Sequence, residues 1–353
     1  MANHNFKYTH FSDYDTDAFF RLRTHRLVDL EKIILNMNHK FKYSLTSGTA
    51  KGWSGFVWML KILVPISMMT ALLAWSGWIN RLDFLLKPFM GAIGLPPMAA
   101  LPLIAGLLTG IYGAIAAMAP LPLTVKQMTL VAIFLLISHN LIQEGVVQKK
   151  SGLPFYKATL FRLIASISMV GISAWFLGMY HETGMNALTQ AQAIDQMPFL
   201  LMLKNWMVTI LVLSGKMLII ILTLMVILEI LKSYSVIDRL VRAISPVLKI
   251  FGLSKRTGFL WLTAAIFGLT YGAAVIVEEV KEGNLSKEEL ECLHISIGIN
   301  HAVIEDAALF LSMGIGLFWL YIPRLAAAIV FVQFIIIKRR LFLSFFWPLR
   351  RSK

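Results

Sequence analysis

Hydrophobic positions in this 353-residue chain run on in long blocks instead of alternating as strands do. The runs at 98–120, 163–180, 210–231 and 257–277 each approach the roughly 20 residues a helix needs to cross about 30 Å of hydrocarbon. The pattern predicts a first crossing over 55–77, then the amphipathic stretch WINRLDFLLKPFMGAIGLPP, then apolar segments over 98–118, 127–143 and 155–180. A polar break, HETGMNALTQAQAIDQM (181–197), follows. Beyond it come an apolar segment over 199–231, an amphipathic linker over 232–256, a segment over 257–277, an acidic loop, a segment over 290–320 and a last run ending at IIIKRR. Ahead of the first crossing, Leu22, Leu27, Leu30, Ile33, Ile34 and Met37 stand among charges. They predict an amphipathic helix in solution or on the membrane surface.

Composition agrees: 58% of residues are hydrophobic and 15% charged, more apolar surface than a soluble chain can hide. The fold class expected is an all-α polytopic membrane protein. The start, MANHNFKYTHFSDYDTD, lacks the basic-then-apolar order of a secretory signal. The single Cys292 leaves no internal disulfide framework and no all-cysteine metal cluster.

The two halves repeat one another. INRLDFLLKP (79–88) matches IDRLVRAISP (237–246), IYGA (111–114) matches TYGA (270–273), and LTVKQM (123–128) matches LSKEEL (285–290). HNLIQE (139–144) matches HAVIED (301–306), and FRLIA (161–165) matches PRLAA (323–327). The offsets are 158, 159 and then 162 for Thr124 to Ser286, His139 to His301 and Arg162 to Arg324. Steps that change only between blocks are what short loop insertions produce.

Charge orients the halves. Residues 145–162 carry +4, 232–256 carry +5, 338–353 carry +6 and 1–54 carry +3, whereas 181–197 carry −2 and 278–289 carry −3. The positive-inside rule puts the basic group in the cytoplasm and the acidic loops outside. The +14 net charge is thereby explained by membrane orientation, with no nucleic acid implied. The repeats then run in opposite directions, which requires an odd number of crossings in each. The segments bearing His139 and His301 are expected to be broken or re-entrant, entering and leaving by one face, and paired segments of that kind point to a transporter's binding site. Eight ordinary helices with one misassigned loop is the alternative. The expected organisation is an N-terminal cytoplasmic, amphipathic region (1–54), repeat 1 (55–180), an extracytoplasmic loop (181–198), repeat 2 (199–338) and a basic cytoplasmic tail (339–353). Such a chain belongs in a cell inner membrane with both termini in the cytoplasm.

Candidate chemistry gathers in the HNLIQE and HAVIED blocks. Spacing of i,i+4 on a helix places His301 with Glu305, His139 with Gln143 and Asn140 with Glu144, the last matched by Ala302 and Asp306, while Asn300 adds an amide. Intramembrane ionisable groups face a cavity or the bundle interior. These eight residues, His139, Asn140, Gln143, Glu144, Asn300, His301, Glu305 and Asp306, are the candidate solute site, with Tyr112 and Tyr271 as hydrogen-bond donors. A polar network that only glues the halves together is the competing reading. Should a metal bind, His301 and Glu305 are the ligand pair expected; His294, two turns earlier, is a further candidate. Gly110, Gly113 and Gly272 allow close packing or an interrupted helix. Arg162 and Arg324 are expected to pair with intramembrane acids, Arg324 with Asp306 or Glu305, or to attract an anionic solute. Thr124 with Gln127 and Ser286 with Glu289 read as capping boxes. Glu278 and Glu279 mark an acidic mouth or a solvated loop. No phosphate-binding loop or nucleophile triad occurs in the sequence, so no enzymatic activity is expected.

The blocks RLDFLLKPFMGAIGLPP, GLLTGIYGAIAAM and SHNLIQEG, with their partners IDRLVRAISPVLKIFGLS, IFGLTYGAAVI and INHAVIED, resemble the nucleoside-recognition or Gate domain family over roughly 50–170 and 200–335. Similar domains occur in concentrative nucleoside transporters, in the membrane part of bacterial ferrous-iron transporters and in spore maturation membrane proteins. The resemblance implies an inverted-repeat helical bundle whose broken or re-entrant helices meet near mid-membrane. It does not carry the family's ligand sets onto residues here, and the Cys-bearing motifs of the iron transporters are missing. The function expected is secondary transport of a small polar solute, possible cargoes including a nucleoside, with no cofactor and with coupling to H+ or Na+ open. A divalent-cation permease and a non-transporting assembly or regulatory protein are the alternatives. The partners expected are the bilayer, the solute or cation, and further copies of the chain in a homo-oligomer.

Overall fold

Helices make up every described element of the computed structural model, which covers residues 16–81, 83–182, 197–234, 253–283 and 285–346 together with 236, 239, 243, 248 and 251. Both ends of the chain, most of the inter-repeat loop and most of the 237–246 block lie outside the described residues. The helices, in chain order, are α1 (Thr16–Trp75), α2 (Trp78–Arg81), α3 (Asp83–Ala92), α4 (Ala100–Thr109), α5 (Ile111–Met118), α6 (Val125–Ser138), α7 (Leu141–Lys150), α8 (Phe155–Phe176), α9 (Met179–Glu182), α10 (Phe199–Ser233), α11 (Lys255–Phe267), α12 (Leu269–Lys281), α13 (Lys287–Asn300), α14 (Glu305–Leu311) and α15 (Leu317–Phe346). Among the described residues five helical stretches are long and apolar enough to cross a membrane, or six if the pair Phe84–Ala92 and Pro97–Thr109, bent by 82°, counts as one. Their outer faces carry exposed Leu160, Ile164, Ile167, Leu211, Ile219, Ile322, Val330 and Phe334, an apolar belt suited to lipid. The protein is a polytopic helical membrane protein.

The expected surface helix and first crossing are one continuous helix, α1, with its crossing at Met37–Trp75. Gly48 and Gly52 ought to weaken it. They survive because α10 runs antiparallel against them. A Cβ on Gly48 would lie 2.6 Å from Val226 Cα, and one on Gly52 would lie 2.9 Å from a Leu222 methyl. Ser44 and Ser233 are 2.7 Å apart, Trp206 donates to Ser67 at 3.2 Å, and Trp75 packs edge-on to Phe199. This small-residue seam, four residues apart in α1, lets the two backbones approach.

Each repeat holds a hairpin and a broken helix. In the first, α4 turns into α5 at Gly110, with φ 86° and ψ −171°, a region open essentially to glycine alone. Ala114 Cβ comes within 3.0 Å of where a Cβ on Gly106 would stand. Those residues would be about 12 Å apart on an unbroken helix. The second repeat turns at Gly268 with φ 85° and ψ 164°. The broken helices α6–α7 and α13–α14 form the centre. Leu130 to Ile137 and Cys292 to Asn300 are buried on every side, which is why these segments look apolar all round. Both open on the capping boxes expected: Thr124 with Gln127 and Ser286 with Glu289.

The two repeats run in opposite directions. Along α7 and α13, Glu144 meets His301, Gln148 meets His294 and Gly298, and Gly152 meets Leu290. Numbers rise on one helix as they fall on the other. Since α6 and α7 together make one crossing, Val125–Lys150, α6 and α13 are antiparallel. Two expectations change. The acidic 278–289 stretch, expected on the opposite face from the basic segments, runs into a helix start that lies beside them: Glu288 pairs with Arg339, and Glu291 with both Arg339 and Lys157, so its carboxylates are matched by those cations and do not mark an outer loop. The histidine segment of repeat 1 does not leave by the face it enters; it is a broken crossing, and the folding back belongs to the Gly110 hairpin.

Candidate functional site

His139 and His301 end α6 and α13. Each adopts extended backbone (φ −63° and −90°) and is followed by a left-handed residue, Asn140 at φ 52° and Ala302 at φ 46°. The breaks are tied to the hairpin turns. Asn140 N donates to Gly106 O at 2.9 Å and Ala302 N to Ala264 O at 3.3 Å, the same carbonyls that accept from Gly110 N and Gly268 N.

A helix that ends in mid-span leaves carbonyls without intrahelical donors. The two arginines supply them. Arg162 Nε donates to Ile137 O at 2.9 Å and Nη2 to His139 O at 2.6 Å. Arg324 Nε donates to Ile299 O at 2.8 Å and Nη2 to His301 O. Their spacing from the histidines is the same in both repeats, so the arginines cap the breaks. Acid pairing is the work of Arg162 alone, whose Nη1 lies 2.8 Å from Glu144 Oε2, as an ion pair off the hydrogen-bond direction. The expected pairing of Arg324 with Asp306 or Glu305 is not made among the described residues: Arg324 Nη1 and Asp306 Oδ2 both lack a hydrogen-bond partner.

Both imidazoles are fixed by their own helices. His139 Nδ1 is 2.8 Å from Leu135 O and His301 Nδ1 is 3.0 Å from Ile297 O. A carbonyl only accepts, so each Nδ1 carries hydrogen. The Nε2 atoms are thereby turned toward each other, 3.2 Å apart, and toward Glu144 Oε1 at 3.1 and 3.0 Å. Asp306 Oδ2 is 3.6 Å from His139 Nε2. Three acceptors at such distances repel unless a positive charge, a proton or a metal ion, sits among them. The coordinating atoms of His139, His301 and Asp306 all lie within 4.8 Å of one another. All four residues are buried, and His139 and His301 each follow a 14-residue helix, about 21 Å from its start.

The side-chain pairings expected of His139 with Gln143 and His301 with Glu305 do not form, because the helix breaks between their members; Asn140 and Glu144 share a backbone bond, Glu144 N to Asn140 O at 3.0 Å, while their side chains take other partners. Glu305 accepts from Tyr112 Oη at 2.9 Å, a bridge between the repeats, and does not join His301 as a metal ligand pair. Asn140 Nδ2 bonds to Gln143 Oε1 at 3.1 Å, and Gln143 is exposed. Asn300 Nδ2 reaches Arg324 O at 3.5 Å, with its Oδ1 unpartnered among the described residues. His294 bonds to Ser151 O at 2.9 Å while Gln148 bonds to His294 O at 2.7 Å, a second tie between repeats. Gly113 packs against Thr109 and Ala105. Tyr112 stands two residues after its glycine turn and Tyr271 three, so the TYG match slips by one. Tyr271 and Gly272 lie in α12, with side-chain surroundings outside the described residues. Sequence reading missed Gln148, whose signal is a polar residue in an apolar helix. It also missed Lys216, midway along α10, which with Thr209, Met128 and Met313 lines a cavity of about 370 Å³.

The chain is similar to the uncharacterized membrane protein YvoD of Bacillus subtilis strain 168, with 29% identity over 286 residues, 80% of this chain and 91% of that protein. No family model matches the chain, and no solved structure matches it.

Proposed function

We propose that this chain is a secondary transporter of a small, positively charged polar solute, bound where the two repeats meet. One observation carries the reading: equivalent residues of both repeats, His139 with His301 and Glu144 with Asp306, converge on a single buried point at mid-span. Inverted repeats with broken helices at such a point are the architecture of alternating access. A purely structural network would satisfy its members, yet Asp306 Oδ2 has no hydrogen-bond donor among the described residues. A nucleoside fits less well, since the groups touch each other directly and leave no room for a base in this conformation. The Gate-type resemblance, an inner-membrane location with both termini cytoplasmic, a homo-oligomer and coupling to H+ or Na+ belong to this reading. Flux into proteoliposomes tests it, with pH dye, radiolabelled nucleosides and divalent cations in parallel. Saturable uptake that is lost in His301→Gln supports transport. Uptake of none of them above protein-free vesicles, or uptake indifferent to His301, sinks it.

A further inference from the structure

Resting on that reading of the centre, we infer that the cargo is a first-row transition-metal dication, of the zinc or ferrous class, held by His139 Nε2, His301 Nε2, Glu144 Oε1 and Asp306 Oδ2. Geometry leads. The first three atoms form a triangle with edges of 3.2, 3.1 and 3.0 Å. Tetrahedral ligands at 2.0–2.1 Å from zinc stand about 3.3 Å from one another. An ion bound at that length lies about 1 Å out of the triangle's plane; Asp306 Oδ2, 3.6 Å from His139 Nε2 in a group of atoms that spreads to 4.8 Å, becomes the fourth corner by a side-chain movement of about 1 Å.

Chemistry agrees with the geometry. Because Leu135 O and Ile297 O hold the Nδ1 hydrogens, the Nε2 lone pairs are free, and the carbonyl contacts orient both rings as outer-shell partners do in metal sites. Two imidazoles with two carboxylates suit zinc or ferrous iron; calcium and magnesium ask for six or more oxygens. The unpartnered Asp306 Oδ2, on a side chain 9% exposed, is the polar atom left over for a ligand.

The arginines argue for cargo over a resident ion. Glu144 and Asp306 are already matched in charge by Arg162 and Arg324, so a bound dication leaves the centre with surplus positive charge. Binding is then weak enough for release, as transport demands.

The test uses the purified full chain in detergent. Zinc titration by calorimetry should give one ion per chain, and zinc X-ray absorption should report two imidazoles and two oxygens at about 2.0–2.1 Å. His139→Gln should weaken binding at least ~100-fold, and Asp306→Asn, which removes no hydrogen bond and therefore folds, at least ~10-fold. Glu229→Gln, which alters only the ion pair with Lys51 away from the centre, should leave affinity unchanged. Zinc binding unaltered in both His139→Gln and Asp306→Asn would place the ion elsewhere and overturn the assignment, as would no binding at millimolar zinc. His139-dependent flux of protons or nucleosides by a protein that binds no zinc would overturn the metal and leave the transport reading standing. Zinc held by these four ligands without flux would do the reverse.

Discussion

Arg162→Met is the perturbation that most directly tests how the centre is held together. It removes the donors to Ile137 O and His139 O and strips Glu144 of the guanidinium 2.8 Å from its Oε2. Arg162 is 2% exposed and Glu144 6%, so solvent does not screen the loss. Removing one partner of a buried ion pair costs about 3–5 kcal/mol, against total stabilities of about 5–15 kcal/mol. In a chain of this size that lowers the melting temperature by about 5 °C. Glu144→Gln in the same chain takes away the stranded charge but not the two stranded carbonyls. The double variant should therefore recover about 2–3 kcal/mol of the loss. Arg324→Met with Asp306→Asn is the internal control. Arg324 caps its break in the same way but stands farther from its acid, with no contact to Asp306 as close as the 2.8 Å of Arg162 to Glu144, so the coupling there should be clearly smaller. Thermal unfolding of the detergent-solubilised protein, followed by tryptophan fluorescence or size-exclusion loss, reads all six variants. Equal coupling in the two repeats, or an Arg162→Met protein melting within about 2 °C of wild type, would refute the reasoning.

Three further outcomes follow from the backbone and the seams. Gly110→Ala and Gly268→Ala should each cost about 1–3 kcal/mol of stability from backbone conformation alone; at Gly268 nothing stands within 4 Å of a Cβ, so a loss there by thermal melt cannot come from crowding. Gly48→Leu should push α1 off α10 and lower the melting temperature by the equivalent of about 1–3 kcal/mol, whereas Gly55→Ala, whose nearest neighbour is at 3.9 Å, should be tolerated. Tyr112→Phe should lose about 1 kcal/mol through the missing bond to Glu305, and Glu305→Gln, which keeps an acceptor oxygen, should lose less in the same melt.

Much of the frame was legible in the sequence. Apolar runs reported the crossings over 155–176 and 199–233 but not the folding back of the runs 98–120 and 257–277 at Gly110 and Gly268, and a shared offset of 162 residues tied Thr124, His139 and Arg162 to Ser286, His301 and Arg324. The capping boxes were readable because they are local, set by residues three apart. The basic charges of 145–162 and 338–340 gave the inversion before any helix direction was known, whereas the acidic 278–289 stretch pointed the wrong way, because Glu288 sits against Arg339. The continuity of α1 was not readable. Gly48 and Gly52 look like a break until α10 is laid against them, and tertiary packing overrides propensity there. The hairpin turn at Gly110 was legible only as a small residue, because a glycine in an apolar run signals close packing and a turn equally well.

The ligand set was hidden for a more specific reason. The i,i+4 rule holds only while the helix is unbroken, and the residues used to apply it are the ones that break it. His139 and His301 are the residues that cap the ends of their helices, with extended backbone, and the next residue is left-handed. The turn that follows swings Gln143 outward and brings Glu144 inward to both imidazoles, while Glu305 goes to Tyr112 and Asp306 takes the inner place. Neither Asn140 nor Ala302 announces the break as a glycine would. What announces it is distant: an arginine 23 residues further on, in both repeats, whose guanidinium takes the carbonyls that the broken helix leaves open. A buried arginine at a fixed distance after a mid-span histidine is therefore evidence of a broken helix, and it says which side chains can meet before any pairing by helical spacing is tried.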